Sequence, residues 1–153
     1  MGSRPLMDIP LKADYIRTEA AHYCRRHQVV LGRPLDRAPM HPLPVARAFN
    51  WIAGQSQALG QAFASAAYRT HWEFDRPLDQ GKEIRAAGLQ AGVPPELLGE
   101  AVSDPRTAAS LRESVDGAIA RGVFGSPFFL VDGEPFFGVD KIELMEKWLS
   151  GGG

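Results

Sequence analysis

Residues 122–149 read GVFGSPFFLVDGEPFFGVDKIELMEKWL. Two apolar runs, Phe128–Val131 and Glu134–Phe137, flank Asp132-Gly133, and an Asp-Gly pair supplies the two positive-φ positions of a tight hairpin turn. The stretch therefore predicts strand, turn, strand. Asp140 can then cap a final helix whose inner face is Ile142, Leu144 or Met145, Trp148 and Leu149. Ser126-Pro127, at the entrance to the first strand, has two readings. One is a plain turn proline opening an edge strand. The other is a cis peptide, which turns the N–H and C=O of the preceding residue outward, where they can pair with an extended peptide backbone.

Upstream of Gly122 the texture is helical. Lys12 to His27 places Tyr15, Ala20, Tyr23 and His27 near one face of an amphipathic helix. Residues 28–44 hold four prolines and Gly32 and predict an ordered connecting loop. Segment 45–74 predicts two packed helices broken near Gly54 and Gly60, with Phe49, Ile52, Leu59, Phe63 and Ala67 at helical spacings. A helix ended by Gly92 follows Pro77, Pro94-Pro95 opens a short one through Val102, and Leu111, Val115 and Ile119 recur every four residues in another from Pro105 to Arg121. No repeat or low-complexity stretch is present. Many helices precede one strand, strand, helix unit.

Bulk properties exclude several function classes. The 17 basic and 18 acidic side chains give a net charge of −1, so no overall field draws nucleic acid or an anionic membrane. No apolar run reaches the roughly 18 residues needed to span a bilayer, and residues 1–30 lack the greasy core of a signal peptide, which predicts a cytoplasmic protein. Cys24 is the one cysteine, so a C-x-x-C dithiol and an intrachain disulfide are both excluded. It lies three residues before His27, a spacing that permits a Cys/His pair, though a buried inert thiol is the commoner case. His22, His27, His41 and His71 show no metal-ligand spacing, and no metal is expected.

The quoted stretch resembles the closing half of a DsbA-like thioredoxin fold. With Arg4-Pro5, Pro10 to Tyr15, AAYRTHWEFDRPL and DPRTAASLRESVDGAIARGVFG, it is similar to the family of kappa-class glutathione transferases and 2-hydroxychromene-2-carboxylate isomerases. The resemblance implies an α/β thioredoxin-like fold with a large inserted helical domain, residues 12–120 here, and the C-terminal half of the thioredoxin-like domain, residues 121–150. It implies glutathione as cofactor and a small aromatic substrate. Ser126 and cis-Pro127 would hold the cysteinyl backbone, Val139 and Asp140 the γ-glutamyl end, and Lys12 a glutathione carboxylate. The family has Asn at the place aligned with Ser3, where this sequence departs. Tyr68, His71, Trp72 and Phe74 would line an aromatic cleft or simply pack in the core.

A full member of that family begins with a strand, a helix and a second strand, whose first turn carries the Ser that stabilises the glutathione thiolate. No such pattern precedes Pro5, so the catalytic residue is unassigned. The Phe128–Val131 edge is expected to be open, or covered by a second copy or by a strand from another polypeptide. A glutathione-dependent isomerase or transferase is one expectation; a non-catalytic relative serving as a binding or assembly module is the other. An all-helical interaction protein is a third, and requires an ordinary trans bond at Pro127.

Overall fold

The computed structural model describes residues 6–151. Ser3, Arg4 and Pro5 of the sequence reading lie outside them. Among the described residues six α-helices precede a two-stranded antiparallel hairpin and a seventh follows it: α1 (Pro10–His27), α2 (Leu43–Gln55), α3 (Gln57–Tyr68), α4 (Gly81–Gln90), α5 (Pro95–Ser103), α6 (Arg106–Ala120), β1 (Phe128–Val131), β2 (Glu134–Phe137) and α7 (Ile142–Leu149). The chain divides into two compact units, one through Leu111 and one from Arg112, with the boundary inside α6.

The first unit is helical. Ala48 and Ile52 of α2, Phe63 and Ala67 of α3, Ile84 and Ala87 of α4, and Leu98 and Ala101 of α5 form one core, joined by Leu78 and Val93 from the connections. Burial of these apolar side chains is the main stabilising term of the unit. The break between α2 and α3 falls at Ser56, not at Gly54 or Gly60. Ser56 is extended (φ −155°, ψ 117°), and its hydroxyl accepts from the Leu59 N–H at 3.3 Å, capping α3. Gly60 lies inside α3, where a Cβ would collide with Ala53 of α2, so its bareness sets how closely the two helices approach.

After α3 the chain widens into a π-helical turn, Arg69–Glu73. The 28–42 loop is strapped to this turn: the amides of Gly32 and Arg33 both donate to the Trp72 carbonyl, at 2.8 and 2.9 Å. Arg33 is buried, and its guanidinium donates to Asp75 at 2.8 Å and to the Ala38 carbonyl at 2.7 Å. Arg37 also donates to Asp75. The hydrogen bond from Arg37, reinforced by Arg33, holds the Asp75 carboxyl below the usual carboxylate range against an opposing desolvation.

Helix α1 differs from its sequence reading. Of its residues only Ala13 is buried, while Tyr15 and Tyr23 of the expected inner face are exposed. Cys24 is half-buried, and Tyr23 and His27 stack on each other with centroids 4.2 Å apart. Leu111, Val115 and Ile119 do lie in one helix, but Val115 and Ile119 are exposed.

In the second unit the hairpin has the expected bounds and a turn at Asp132 (φ 52°) and Gly133 (φ 86°). Phe136 is buried and meets Trp148 of α7 at 6.3 Å, while Phe124, Phe128 and Phe137 cluster with centroids 4.8–6.3 Å apart. Gly125 is required there, because a Cβ would strike the Phe137 ring. Pro135 stands on β2 opposite Leu130, and having no N–H it offers no donor.

Candidate functional site

The residues singled out at the hairpin's open end do come together. The Ser126–Pro127 peptide bond is cis, and the Pro127 carbonyl accepts from the Gly138 amide at 3.0 Å, which joins the 126–127 and 138–140 segments. Bonded and non-bonded pairs alternate along an antiparallel ladder. The Pro127–Gly138 bond therefore makes Phe129 and Phe136 the next bonded pair and leaves the N–H and C=O groups of Phe128 and Leu130 facing the outer edge of β1. Two residues upstream of Phe128, neither the N–H nor the C=O of Ser126 has a hydrogen-bonding partner among the described residues. The result is a row of main-chain donors and acceptors that an extended peptide can join.

Gly138 (φ 104°) turns the chain out of β2 into a short 3-10 turn, Val139–Lys141, ahead of α7. A Cβ at Gly138 would overlap the Asp140 carboxylate, so glycine lets that carboxylate fold back over the turn. Asp140 does not cap α7 as the sequence suggested, because the intervening 3-10 turn moves it out of the cap position. Its carboxylate is exposed and pairs with the Lys141 ammonium at 2.8 Å, whose hydrogen bond draws the Asp140 carboxyl below its ordinary range. Val139 is exposed, and its amide has no partner among the described residues. Lys12 belongs to the first unit, where it is exposed in the first turn of α1 and pairs with no described carboxylate.

Of the aromatic residues suggested for a cleft, Tyr68, His71 and Trp72 line one cavity of the helical unit. Phe74 does not; it lies beneath the Arg69 guanidinium in a separate hollow with Ala62, Gln90 and Ala91. The π-helical turn causes the separation, since it rotates the chain between Trp72 and Phe74. Sequence spacing missed Met40, Val45 and Phe49 as further walls of the cavity. Among the described residues no helix is long and apolar enough to cross a membrane.

Residues 2–150 match the model of the DSBA-like thioredoxin domain. The chain belongs to that family. A 2-hydroxychromene-2-carboxylate isomerase of Sphingobium xenophagum is 36% identical over 100 residues, which make up 65% of this chain and 50% of that protein. The matched region thus spans about half the length of this relative. Family and fold agree with the hairpin and helices seen here: a mostly helical DsbA-like thioredoxin-fold chain ending in strand, strand, helix.

Proposed function

We propose that the chain is a glutathione-dependent isomerase- or transferase-like protein acting on a small aromatic compound, in the manner of the 2-hydroxychromene-2-carboxylate isomerase it resembles. The observation that carries this is the unpartnered Ser126 amide and carbonyl beside the Gly138–Asp140 turn. Those two groups fit the backbone of a cysteinyl residue, donating to its C=O and accepting from its N–H as a strand neighbour does. The Asp140 carboxylate then receives the γ-glutamyl ammonium in place of Lys141, with the Val139 amide donating to the adjoining carboxylate. When bound, glutathione supplies a thiol nucleophile; no residue of the chain is assigned to activating it.

A second reading, a binding or assembly module without chemistry, is favoured by an outer edge of β1 that pairs with no strand among the described residues, and by the exposed Phe124, Leu130 and Phe137. Such surfaces receive a second copy or a strand from another polypeptide. Calorimetric titration with glutathione, followed by ultraviolet measurement of the bound thiol's pKa, separates the two. Saturable binding with a depressed thiol pKa supports the enzyme. Binding with an ordinary thiol pKa supports the module, and no binding removes glutathione from both.

A further inference from the structure

Among the described residues β1 pairs with β2 alone. Ser126, Phe128 and Leu130, each two residues from the next, present their main-chain groups on the outer side, and none of these is bonded there among the described residues. Folded chains protect such an edge with a charge, a bulge or a proline where a donor is needed. β2 has that protection in Pro135. β1 lacks it: residues 122–131 carry no charged side chain. Pro127 does not protect the edge either, because its carbonyl side faces Gly138 and the missing N–H takes no donor from the outer row.

This edge is complementary to itself. In an antiparallel ladder every second residue pair exchanges two hydrogen bonds. A twofold axis normal to the sheet can set Phe128 against its own copy, Ser126 against Leu130 and Leu130 against Ser126. Three pairs of two bonds, six in all, then use every outward group of both edges. Sliding the copy by two residues either way pairs only two of the three residues, so this register alone fills the edge. An uncharged strand meets no like charge in its copy, and the two Phe128 rings become cross-strand neighbours.

The helices fit the same arrangement. Strands lie roughly 4.8 Å apart, so two adjoining hairpins have midlines about 9.6 Å apart, within the roughly 8–10 Å at which helices pack. Each α7 rests on its hairpin through Trp148 and Phe136, and the twofold axis keeps both helices on one face. Beside Trp148, α7 has apolar side chains without cover: Leu144 on one flank, Ile142 and Leu149 on the other, at 53, 38 and 62% exposure. Whichever flank faces the copy, an apolar side chain meets an apolar one.

We propose that, without glutathione, two copies of this chain pair through the outer edges of β1, Phe128 against Phe128, and form a four-stranded antiparallel sheet. The copy takes up the same Ser126 N–H and C=O that were assigned above to the cysteinyl backbone, so pairing and glutathione binding exclude each other. The inference deepens the second reading, on which it rests for treating β1 as an assembly edge.

Sedimentation velocity of the full chain over a concentration series is expected to show conversion from 16.7 kDa to twice that mass. Hydrogen exchange is expected to show the Ser126, Phe128 and Leu130 amides gaining protection as the dimer forms. Leu130→Pro removes a donor that the hairpin itself does not use, and the two bonds lost per dimer should weaken pairing about tenfold or more. Leu130→Lys, at a side chain already exposed, puts a cation on the edge and should also weaken pairing; it serves should the proline unfold the hairpin. A monomer at every concentration, as expected if a strand of another polypeptide is the true neighbour, overturns the proposal. So does a dimer indifferent to both variants, or one that leaves those three amides unprotected. Glutathione is titrated into the same samples by calorimetry. Dissociation of the dimer on binding supports the shared use of Ser126, and binding that leaves the dimer intact overturns the register. A dimer that binds no glutathione removes the glutathione reading alone, and a monomer that binds it removes the pairing alone.

Discussion

Gly32→Ala tests how the proline-rich loop is fastened to the π-helical turn. Gly32 has no left-handed backbone requirement; its bareness is needed because a Cβ would run into the Glu73 carbonyl. Both sides of that contact are backbone, so relief means withdrawing the loop and losing the Gly32 and Arg33 amide bonds to the Trp72 carbonyl. Two such bonds are worth about 0.5–1.5 kcal/mol each, and overpacking typically adds about 1–3 kcal/mol. Alanine returns about 0.4–1 kcal/mol by restricting the unfolded chain. The net expectation is a loss of about 1–6 kcal/mol, centred near 3, read as a lower urea midpoint with unchanged slope. Gly117→Ala in α6 is the control, since a Cβ there meets nothing within 4 Å, and it should gain about 1 kcal/mol from helix propensity. If Gly32→Ala leaves the midpoint unchanged or raises it, the close approach does not hold the loop.

Phe63 is fully buried at the centre of the helical unit, so Phe63→Ala should cost about 3–5 kcal/mol in denaturant unfolding; a loss below about 1 kcal/mol contradicts its placement. Asp75, Asp104 and Asp140 all have carboxyl pKa values lowered in the fold, by Arg37, Arg106 and Lys141 respectively. A lowered folded-state pKa contributes stability above the unfolded value of 3.8 that is lost as pH falls through the folded one. The urea midpoint should accordingly drop below about pH 4, and Asp75→Asn should make that drop shallower; an identical pH profile in the variant rules out Asp75 as a contributor. Asp140→Ala should weaken glutathione about tenfold in calorimetry by removing a charge-assisted hydrogen bond, and undiminished affinity would remove Asp140 from the binding assignment.

The hairpin was legible in the sequence because strand ends and an Asp-Gly turn are local signals, and its bounds match residue for residue. The division of residues 45–74 was half legible: two helices were evident, but Gly60 reads as a breaker when it is in fact a contact point against Ala53. The π-helical turn has no sequence signature, since one extra residue per turn is set by packing, and so Phe74 was grouped with Tyr68, His71 and Trp72 although it faces elsewhere. Periodicity likewise finds an apolar row without saying whether anything covers it. Tyr15, Val115 and Ile119 have the spacing of an inner face and are exposed. At the candidate site, residue types predicted the segments that meet at Ser126 and Gly138, but not that Lys141 occupies Asp140.

Pro135 gives the hairpin a polarity that bears on how it associates. One flank has a ladder with vacancies, whereas the flank beyond β2 has a missing donor at its middle. A neighbour is thus favoured on the β1 side, and two hairpins joined through their β1 flanks would present a proline outward at each end. A proline at each outer edge works against further strand addition and so against propagation into a fibre.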